Sequence, residues 1–558
     1  MEMKPPVLDT LNNYKGRPLR FLMVMPKFPP SFWSFCHVGR LFGRATAWPP
    51  LGLLTVGGMC PPEWELRLVD ENVDRVTDAD LEWADLVGFS TMIVQYSRAV
   101  HLARRARAMG KPTIIGGNHV TGEPEVYENE IDVLIRNEGE ITFRRFLEDY
   151  AKGQVVARYE TQEKADLAQT PLLRLDLLRR PRRYPVFVVQ YGRGCPYNCE
   201  FCDVVSMFGR RWRYRRVEDV LGELDRIHAF GHRGTVAIAD DNFNANRAKA
   251  MEMCGALEVW NRRHGYPFVY HTQTTPFPLA ADEEMMSAMR KARFEGVFLG
   301  LESPSAESLR SAGKTHNLRG DIPEAVRKIQ SFGLRVDAGI MVGFDGDTKD
   351  IFDRQARFID DLDVTVVQTS VLSAFPSSPL YQRMKAEGRL LFERTPLNLE
   401  EGFGVYNCIG LPNIVPKQFS NSELMEGYAR LISEIYGPRQ YFERVVRQVA
   451  ALKPDFRNRR LALRAYLWSF PAWSLLIFCM FPFRFHYLRA ALKVLFRYPG
   501  GVWCFKESSM RGIHFLEFTR RDVVPRALAE AQRFAEQEKR VGLERHRAEP
   551  EPAPVSAA

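Results

Sequence analysis

At 558 residues the chain is too long for one ordinary hydrophobic core, and roughly two to four domains are expected. Hydrophobic residues make up 45% of it, which supports folded domains throughout, and nine cysteines, an odd and modest number, exclude a disulfide scaffold. The net charge of +9 comes largely from arginine spread along the chain, which permits anionic partners without naming one, and Met1 to Gly16 carries Lys4 but no apolar run of the kind a secretory signal needs.

From Arg20 to about Tyr150, short apolar runs alternate with helical stretches, the pattern of a parallel α/β domain. The predicted strands are Phe21–Met25, Glu65–Val69, Leu86–Phe89, Thr113–Ile115 and Val133–Ile135. Their C-terminal ends carry Asp70-Glu-Asn-Val-Asp74, Ser90-Thr91, Gly116-Gly-Asn-His119 and Asn137-Glu-Gly-Glu140. In an open α/β sheet, ligands bind beyond those ends. The glycines there let backbone approach a bulky phosphate-bearing ligand, or else they serve only tight turns between strand and helix.

A charged stretch, Lys152 to Arg183, reads as a linker, and a second series of strand-helix units follows it. Its predicted strands are Phe187–Gln190, Thr235–Ala239, Phe268–Thr272, Gly296–Gly300, Arg335–Val342 and Thr365–Ser370, with helices such as Val217–Phe230, Asp282–Ala292 and Ile322–Phe332 between them. Six such units without a hairpin signal predict a barrel or partial barrel with its site at the C-terminal face. After the first of these strands comes Gly194-Cys-Pro-Tyr-Asn-Cys-Glu-Phe-Cys-Asp203. The CxxxCxxC spacing of Cys195, Cys199 and Cys202 is that of three thiolates around one 4Fe-4S cube with one iron left open, the iron that S-adenosylmethionine (SAM) chelates in a radical SAM enzyme. A structural zinc site would want a fourth protein ligand, and no second CxxC or Cys/His pair lies nearby in sequence. Tyr197 and Phe201 between the cysteines can shield a cluster.

The same mouth collects Asp240-Asp-Asn-Phe243, Gln273-Thr-Thr275, Leu301-Glu302 and Gly339-Ile-Met-Val-Gly343. Asp240, Asp241 and Glu302 suit the ammonium and ribose hydroxyls of SAM, because charged acceptors make the strongest hydrogen bonds to them; helix capping is the alternative for either aspartate. The run Arg210-Arg-Trp-Arg-Tyr-Arg-Arg216 could pass for a nucleic-acid patch. Its place directly after the cysteine loop favours instead stabilising a cluster and the SAM carboxylate, or opening the next helix.

After Leu390 the strand pattern stops and helices are expected. In Tyr466–Arg484, Pro471 and Pro482 leave about ten uninterrupted apolar residues, against roughly twenty for a spanning helix. With Arg464, Arg484 and Arg489 flanking it, the segment fits an element lying in a membrane interface, and equally a helix that covers the barrel or makes a dimer contact. From Arg526 to Ala558 a short helix followed by disorder is expected.

With Trp48-Pro-Pro-Leu-Gly-Leu53, Gly300-Leu-Glu302 and Phe375-Pro-Ser-Ser-Pro-Leu-Tyr381 added to the motifs above, nearly the whole chain resembles the cobalamin-binding radical SAM family, with most similarity to its hopanoid C-methylase-like branch. The resemblance implies a Rossmann-like (flavodoxin-like) cobalamin-binding domain at 18–151, a linker at 152–183, a radical SAM (β/α)6 partial TIM barrel at 184–390, a helical C-terminal domain at 391–525 and a charged tail at 526–558. It implies a 4Fe-4S cluster on Cys195, Cys199 and Cys202, SAM contacts at Asp240, Asp241, Glu302, Gly339 and Gly343, and cobalamin contacts at Asp70, Asn72, Ser90, Gly116, Gly117 and Glu138. No acid/base residue is assigned, since Tyr381 and His271 could equally be packing. In cobalamin mutases the motif Asp-x-His-x-x-Gly supplies a lower ligand to cobalt; here Asn72 stands where that histidine would be.

The activity so implied is C-methylation of an unactivated carbon in a lipid or polyisoprenoid-like substrate, in which one SAM methylates reduced cobalamin and a second gives a deoxyadenosyl radical. A radical cyclase, ring-contracting or oxidising enzyme with the same cofactors is the rival reading, and a non-catalytic cobalamin sensor or carrier is a third. A reducing partner such as flavodoxin or ferredoxin is expected, nucleic acid is not, and the expected location is the cytoplasm or the inner membrane face, with 466–484 as the contact. A tetrapyrrole or a secondary-metabolite scaffold stays open as substrate.

Overall fold

The computed structural model describes residues 7–39, 41, 43, 48–391, 411–452 and 470–548. Two parallel six-stranded sheets organise the chain. The first is ordered β2-β1-β3-β4-β5-β6, with β1 Arg20–Met25, β2 Glu65–Asp70, β3 Leu86–Ser90, β4 Thr113–Gly116, β5 Val133–Ile135 and β6 Arg158–Tyr159. In β1 the side chains alternate between two cores: Leu22 and Val24 pack under the helix Tyr96–Ala108, while Phe21 and Met23 join the opposite face with Leu53, Leu54 and Phe143. Burial on both faces is why these strands read as continuous apolar runs.

The stretch expected as a linker turns out to carry β6. Val155 donates its amide to Asn12 Oδ1 at 2.6 Å, Tyr159 is buried, and Arg174 donates its amide to the Leu54 carbonyl at 3.2 Å, so 152–183 wraps the first sheet as its edge. Two residues of strand, of which only Tyr159 is buried, give no periodicity to read.

The second sheet runs β7-β10-β11-β12-β13-β14, with β7 Phe187–Val189, β10 Gly234–Ile238, β11 Phe268–Thr274, β12 Phe294–Glu302, β13 Arg335–Val342 and β14 Val367–Val371. A small antiparallel pair, β8 Gly192–Arg193 and β9 Arg213–Tyr214, sits between β7 and β10 in sequence. All six main strands are parallel and in chain order, with β7 and β14 left as edges, which is the predicted open barrel. The outer helices start where the sequence signals: Asn246, Asp282 and Asp321 accept from the amides of Lys249, Met285 and Glu324 at 3.1, 2.9 and 2.7 Å.

The C-terminal part is helical: Asn421–Ile435, Pro438–Ala451, Phe470–Met480, Arg484–Arg497, Val502–Phe518, a π-helical turn Thr519–Val523, and Val524–Ala548. The last helix has 25 residues, so the short helix expected after Arg526 is long instead. Val502–Phe518 lies against the barrel, where Glu507 and Arg511 pair with Arg335 and Asp337 at 3.1 and 3.3 Å. Tyr466 to Ser469 and Arg464 lie outside the described residues. Phe470–Met480 and Arg484–Arg497 bury Trp473, Ile477, Tyr487 and Val494 against the helical bundle, with Tyr487 facing Phe442 and Phe505. Their other face is open: Leu475, Phe485 and Phe496 are 64%, 64% and 81% exposed. Among the described residues no helix is long and apolar enough to cross a membrane.

Candidate functional site

The C-terminal edges of the two sheets face each other. Glu138, just past β5, pairs with Arg193 of β8 at 3.1 Å and with Arg213 of β9 at 2.6 Å. Trp33, past β1, donates its indole N–H to Gln368 Oε1 of β14 at 3.0 Å and packs edge-on to Phe298 of β12 at 5.5 Å. Trp48 lies 6.4 Å from Trp33. The face where an open α/β sheet binds ligand is thus turned toward the barrel mouth.

The cysteine loop is held at that mouth from three sides. Asp240, at the end of β10, accepts from the amides of Tyr191 and Gly192 at 2.9 and 2.8 Å, and Asp241 accepts from the amide of Gly194 at 2.7 Å. Gly194 has φ +97, and a Cβ there would meet the Arg211 carbonyl at 2.8 Å. Within the loop, the Glu200 amide donates to the Ala312 carbonyl and its own carbonyl accepts from Leu380, both at 2.9 Å. Arg383 then ties Glu200 to Asp345 at 2.7 and 2.6 Å. Ser378 caps the helix Pro379–Ala386 that brings Arg383 in, which gives the Phe375–Tyr381 motif a structural role.

None of Cys195, Cys199 and Cys202 is in a disulfide, and burial pushes the thiols of the last two up to about 11 and about 12. Lys314, which the sequence reading did not single out, is buried beside them and pairs with Glu302 Oε1 at 2.5 Å. Against its burial, Glu302 and the cysteines hold the Lys314 ammonium above its ordinary value. Three soft ligands on one loop, with a buried cation next to them, fit a thiolate-bound iron-sulfur cluster. His316 stacks on Tyr197 at 3.8 Å over the same loop.

Glu302 has φ +63, a left-handed conformation for a side-chain-bearing residue, at the point where the β12–β13 register shifts. Its carbonyl accepts from Gln355 Nε2 at 2.8 Å. Strain of this kind, about 1–3 kcal/mol, persists where surroundings enforce it and marks sites. Gly339 lies inside β13, where a Cβ would touch the Phe298 ring at 3.0 Å, and Gly343, at φ +98, gives its amide to Asp347 at 2.7 Å. Both positions face close neighbours, Phe298 at Gly339 and Leu424 at Gly343.

The carboxylates expected to face ligands have protein partners instead. Asp240 and Asp241 hold backbone, and neither caps a helix; the caps are Asn242 and Asn246. Glu138 is fully enclosed by Arg193, Arg213 and the Ala165 amide, so it locks the two sheets together. Asp70 is buried between Asn72 and the Tyr184 hydroxyl, at 2.7 and 3.0 Å. Asn72 also accepts from the Phe28 amide at 2.8 Å, so its side chain pins the loop after β1. Ser90, Gly116 and Gly117 do line the sheet edge. Gly117 has φ +112, and a Cβ there would meet the Thr91 carbonyl at 2.5 Å. An edge made of small residues and backbone fits a large planar ligand such as cobalamin.

The arginines of the basic run have partners within the chain: Arg210 reaches the Pro196 carbonyl at 3.2 Å, Arg215 is buried against Glu223 at 2.8 Å, and the exposed Arg216 pairs with Asp219 at 2.9 Å. His271 faces Asp337 at 3.1 Å inside the barrel, where burial lowers its pKa. His119 is buried between Tyr127 and Glu123, at 2.7 and 3.0 Å.

Sequence comparison agrees with this architecture. Residues 42–147 match the B12 binding domain, 189–359 the radical SAM superfamily, and 378–525 a domain of unknown function (DUF4070). An uncharacterised methyltransferase of Synechocystis is 38% identical over 427 residues, 76% of this chain and 78% of that one. The hopanoid C-2 methylase of Rhodopseudomonas palustris is 33% identical over 378 residues, 67% and 71% of the two chains. Among solved structures, the cobalamin-dependent SAM radical enzyme OxsB with aqua-cobalamin bound superposes with a TM-score of 0.58 at 14% identity, over 93% of this chain and 84% of that one. The fold and mouth define a radical SAM enzyme, and the chain belongs to the cobalamin-binding branch of that family, with a 4Fe-4S cluster, SAM and cobalamin as its cofactors.

Proposed function

We propose that the enzyme methylates an unactivated carbon of a lipid or polyisoprenoid-like substrate held between the two facing edges. The observation that carries this is the facing itself: the edge suited to cobalamin looks into the mouth that carries the three cysteines. When bound, the cluster with SAM supplies a hydrogen-abstracting radical and cobalamin a transferable methyl group.

The chain's own residues do the positioning. Cys195, Cys199 and Cys202 hold the cluster, Asp240 and Asp241 fix the loop that presents them, and Glu302 with Lys314 sets the charge beside it. Gly339 and Gly343 leave room for SAM, and Ser90, Gly116 and Gly117 for cobalamin. Trp33, Trp48 and Phe298 give the space between an apolar lining that excludes water, as radical chemistry at an unactivated carbon requires. The lipid assignment rests on the open face of Phe470–Arg497, whose exposed apolar side chains, continued by Trp503, are flanked by Arg484, Arg489, Lys493 and Arg497. Such a surface suits an anionic membrane interface. A flavodoxin or ferredoxin is the proposed electron source, and the cytoplasmic membrane face the proposed location.

The test is mass spectrometry of anaerobically reconstituted enzyme given methyl-deuterated SAM, a low-potential reductant and a host lipid extract. Label in a lipid, with S-adenosylhomocysteine and deoxyadenosine both formed, is the expected result. Deoxyadenosine without S-adenosylhomocysteine would point to rearrangement instead, and neither product to a carrier. Phe485→Asp with Phe496→Asp should lower liposome binding and lipid turnover together while leaving SAM cleavage without substrate unchanged.

A further inference from the structure

A second cluster of metal-ligating side chains lies away from the cysteine loop, where the segment after β1 meets the C-terminal helices. One ligating atom from each of Cys36, His37 and His514 lies within 4.8 Å of the other two. Cys36 and His37 begin the helical turn Cys36–Gly39, directly after Phe35, whose φ of +47 is left-handed for a bulky residue. His514 comes from the middle of Val502–Phe518.

Each imidazole has an acceptor oxygen against one ring nitrogen. His514 is fully buried, its Nε2 lies 2.9 Å from the Ser31 carbonyl, and its Nδ1 has no hydrogen-bond partner. Because a carbonyl only accepts, that bond fixes the proton on Nε2 and leaves the Nδ1 lone pair free. His37 Nε2 lies 2.9 Å from Asp522 Oδ2, carried by the π-helical turn, which places a carboxylate against that nitrogen. A carbonyl or carboxylate on the far nitrogen is the usual support of a metal-bound histidine. Without a metal, a buried imidazole nitrogen without a partner is destabilising. Stacking explains part of the arrangement, since His514 lies 5.5 Å from both His37 and Phe518, but it does not explain the free nitrogen or the thiol beside it.

We propose that Cys36, His37 and His514 bind a divalent zinc-type ion, with water as the fourth ligand, at a site separate from the cluster cysteines. One thiolate and two imidazoles are a borderline-soft set suited to tetrahedral zinc, and bond lengths of about 2.0–2.3 Å put such ligands roughly 3.3–3.6 Å apart. Side-chain shifts of about 1.5 Å at most close the site from its present spread. Bound there, the ion would clamp 31–37 to Val502–Phe518. That segment carries Trp33, so the clamp fixes one wall of the space between the sheets. These are positioning residues, and the inference is independent of the substrate proposed above.

The experiment is zinc quantification and zinc X-ray absorption on the cluster-loaded full chain purified from zinc-supplemented medium. One zinc per chain with a sulfur and two imidazole nitrogens in its shell is expected, and Cys36→Ser should remove the sulfur and most of the zinc with the cluster iron unchanged. Cobalt(II) in place of zinc should show a sulfur-to-metal charge-transfer band that Cys36→Ser abolishes. Zinc at background in the wild type, a shell of sulfurs alone, or a content unchanged in Cys36→Ser and His37→Ala would each overturn the proposal.

Discussion

The two facing edges are built in opposite ways. At the barrel mouth the binding groups are side chains of rare type, three cysteines presented by a loop that Asp240, Asp241 and Arg383 hold in place. At the first sheet's edge they are backbone and small residues, with the nearby carboxylates Asp70 and Glu138 already committed to protein partners. A metal needs particular donor atoms; a large planar cofactor needs a shape. Damage at the barrel mouth should therefore be chemical and total, and at the first sheet's edge steric and graded.

Cys199→Ala breaks the barrel mouth alone. Iron content and reductive SAM cleavage should fall to background while cobalamin binding stays at the wild-type level, read by anaerobic iron assay and by equilibrium dialysis. Lys314→Met tests whether the mouth depends on its buried cation: it strands Glu302, and a stability loss of about 3–5 kcal/mol is expected in denaturant melts, largely recovered in Lys314→Met/Glu302→Gln. The reduction potential of the cluster should move negative in Lys314→Met, where only a positive charge is lost, and less in the double variant, where the Glu302 charge goes with it.

Asp240 sharpens the contrast through pH. Burial pushes its carboxyl up to about 7, and its Oδ2 has no hydrogen-bond partner, so the folded chain keeps a proton that the unfolded chain has released. That contribution is full below about pH 4 and is lost as pH rises through about 7. The cofactor-free wild type should accordingly lose roughly 1–3 kcal/mol relative to Asp240→Asn between about pH 5 and 8, measured by melts of both proteins. Equal slopes would mean that Asp240 is ionised and available to a ligand.

Gly117→Ala probes the first sheet's edge. Its positive φ and the Thr91 carbonyl leave no room for a Cβ, so a loss of about 1–3 kcal/mol and weaker cobalamin binding are expected, with iron content unchanged.

The same contrast sets what could be read from the sequence. Parallel strands buried on both faces, capped helices and the CxxxCxxC spacing are local signals, and the strands, the open barrel and the cysteine loop follow from them. Lys314, Trp33 and the Cys36–His37–His514 cluster have no such signal, because their partners lie far away in sequence and only the fold unites them. Asp240, Asp241, Asp70 and Glu138 were legible as positions at strand ends, but a position does not say whether a carboxylate turns to a ligand or to a backbone amide. The π-helical turn that brings Asp522 to His37 was invisible for the same reason: nothing in Thr519–Val523 separates it from an ordinary helix.

The central claim is that cobalamin and the cluster face each other across one space. Electron paramagnetic resonance of the holoenzyme, with cobalt as cob(II)alamin and the cluster reduced, tests it most directly. The account predicts dipolar splitting or broadening of the cobalt signal that appears on cluster reduction and is absent in Cys199→Ala. A cobalt spectrum identical with the cluster reduced, oxidised or missing would contradict it.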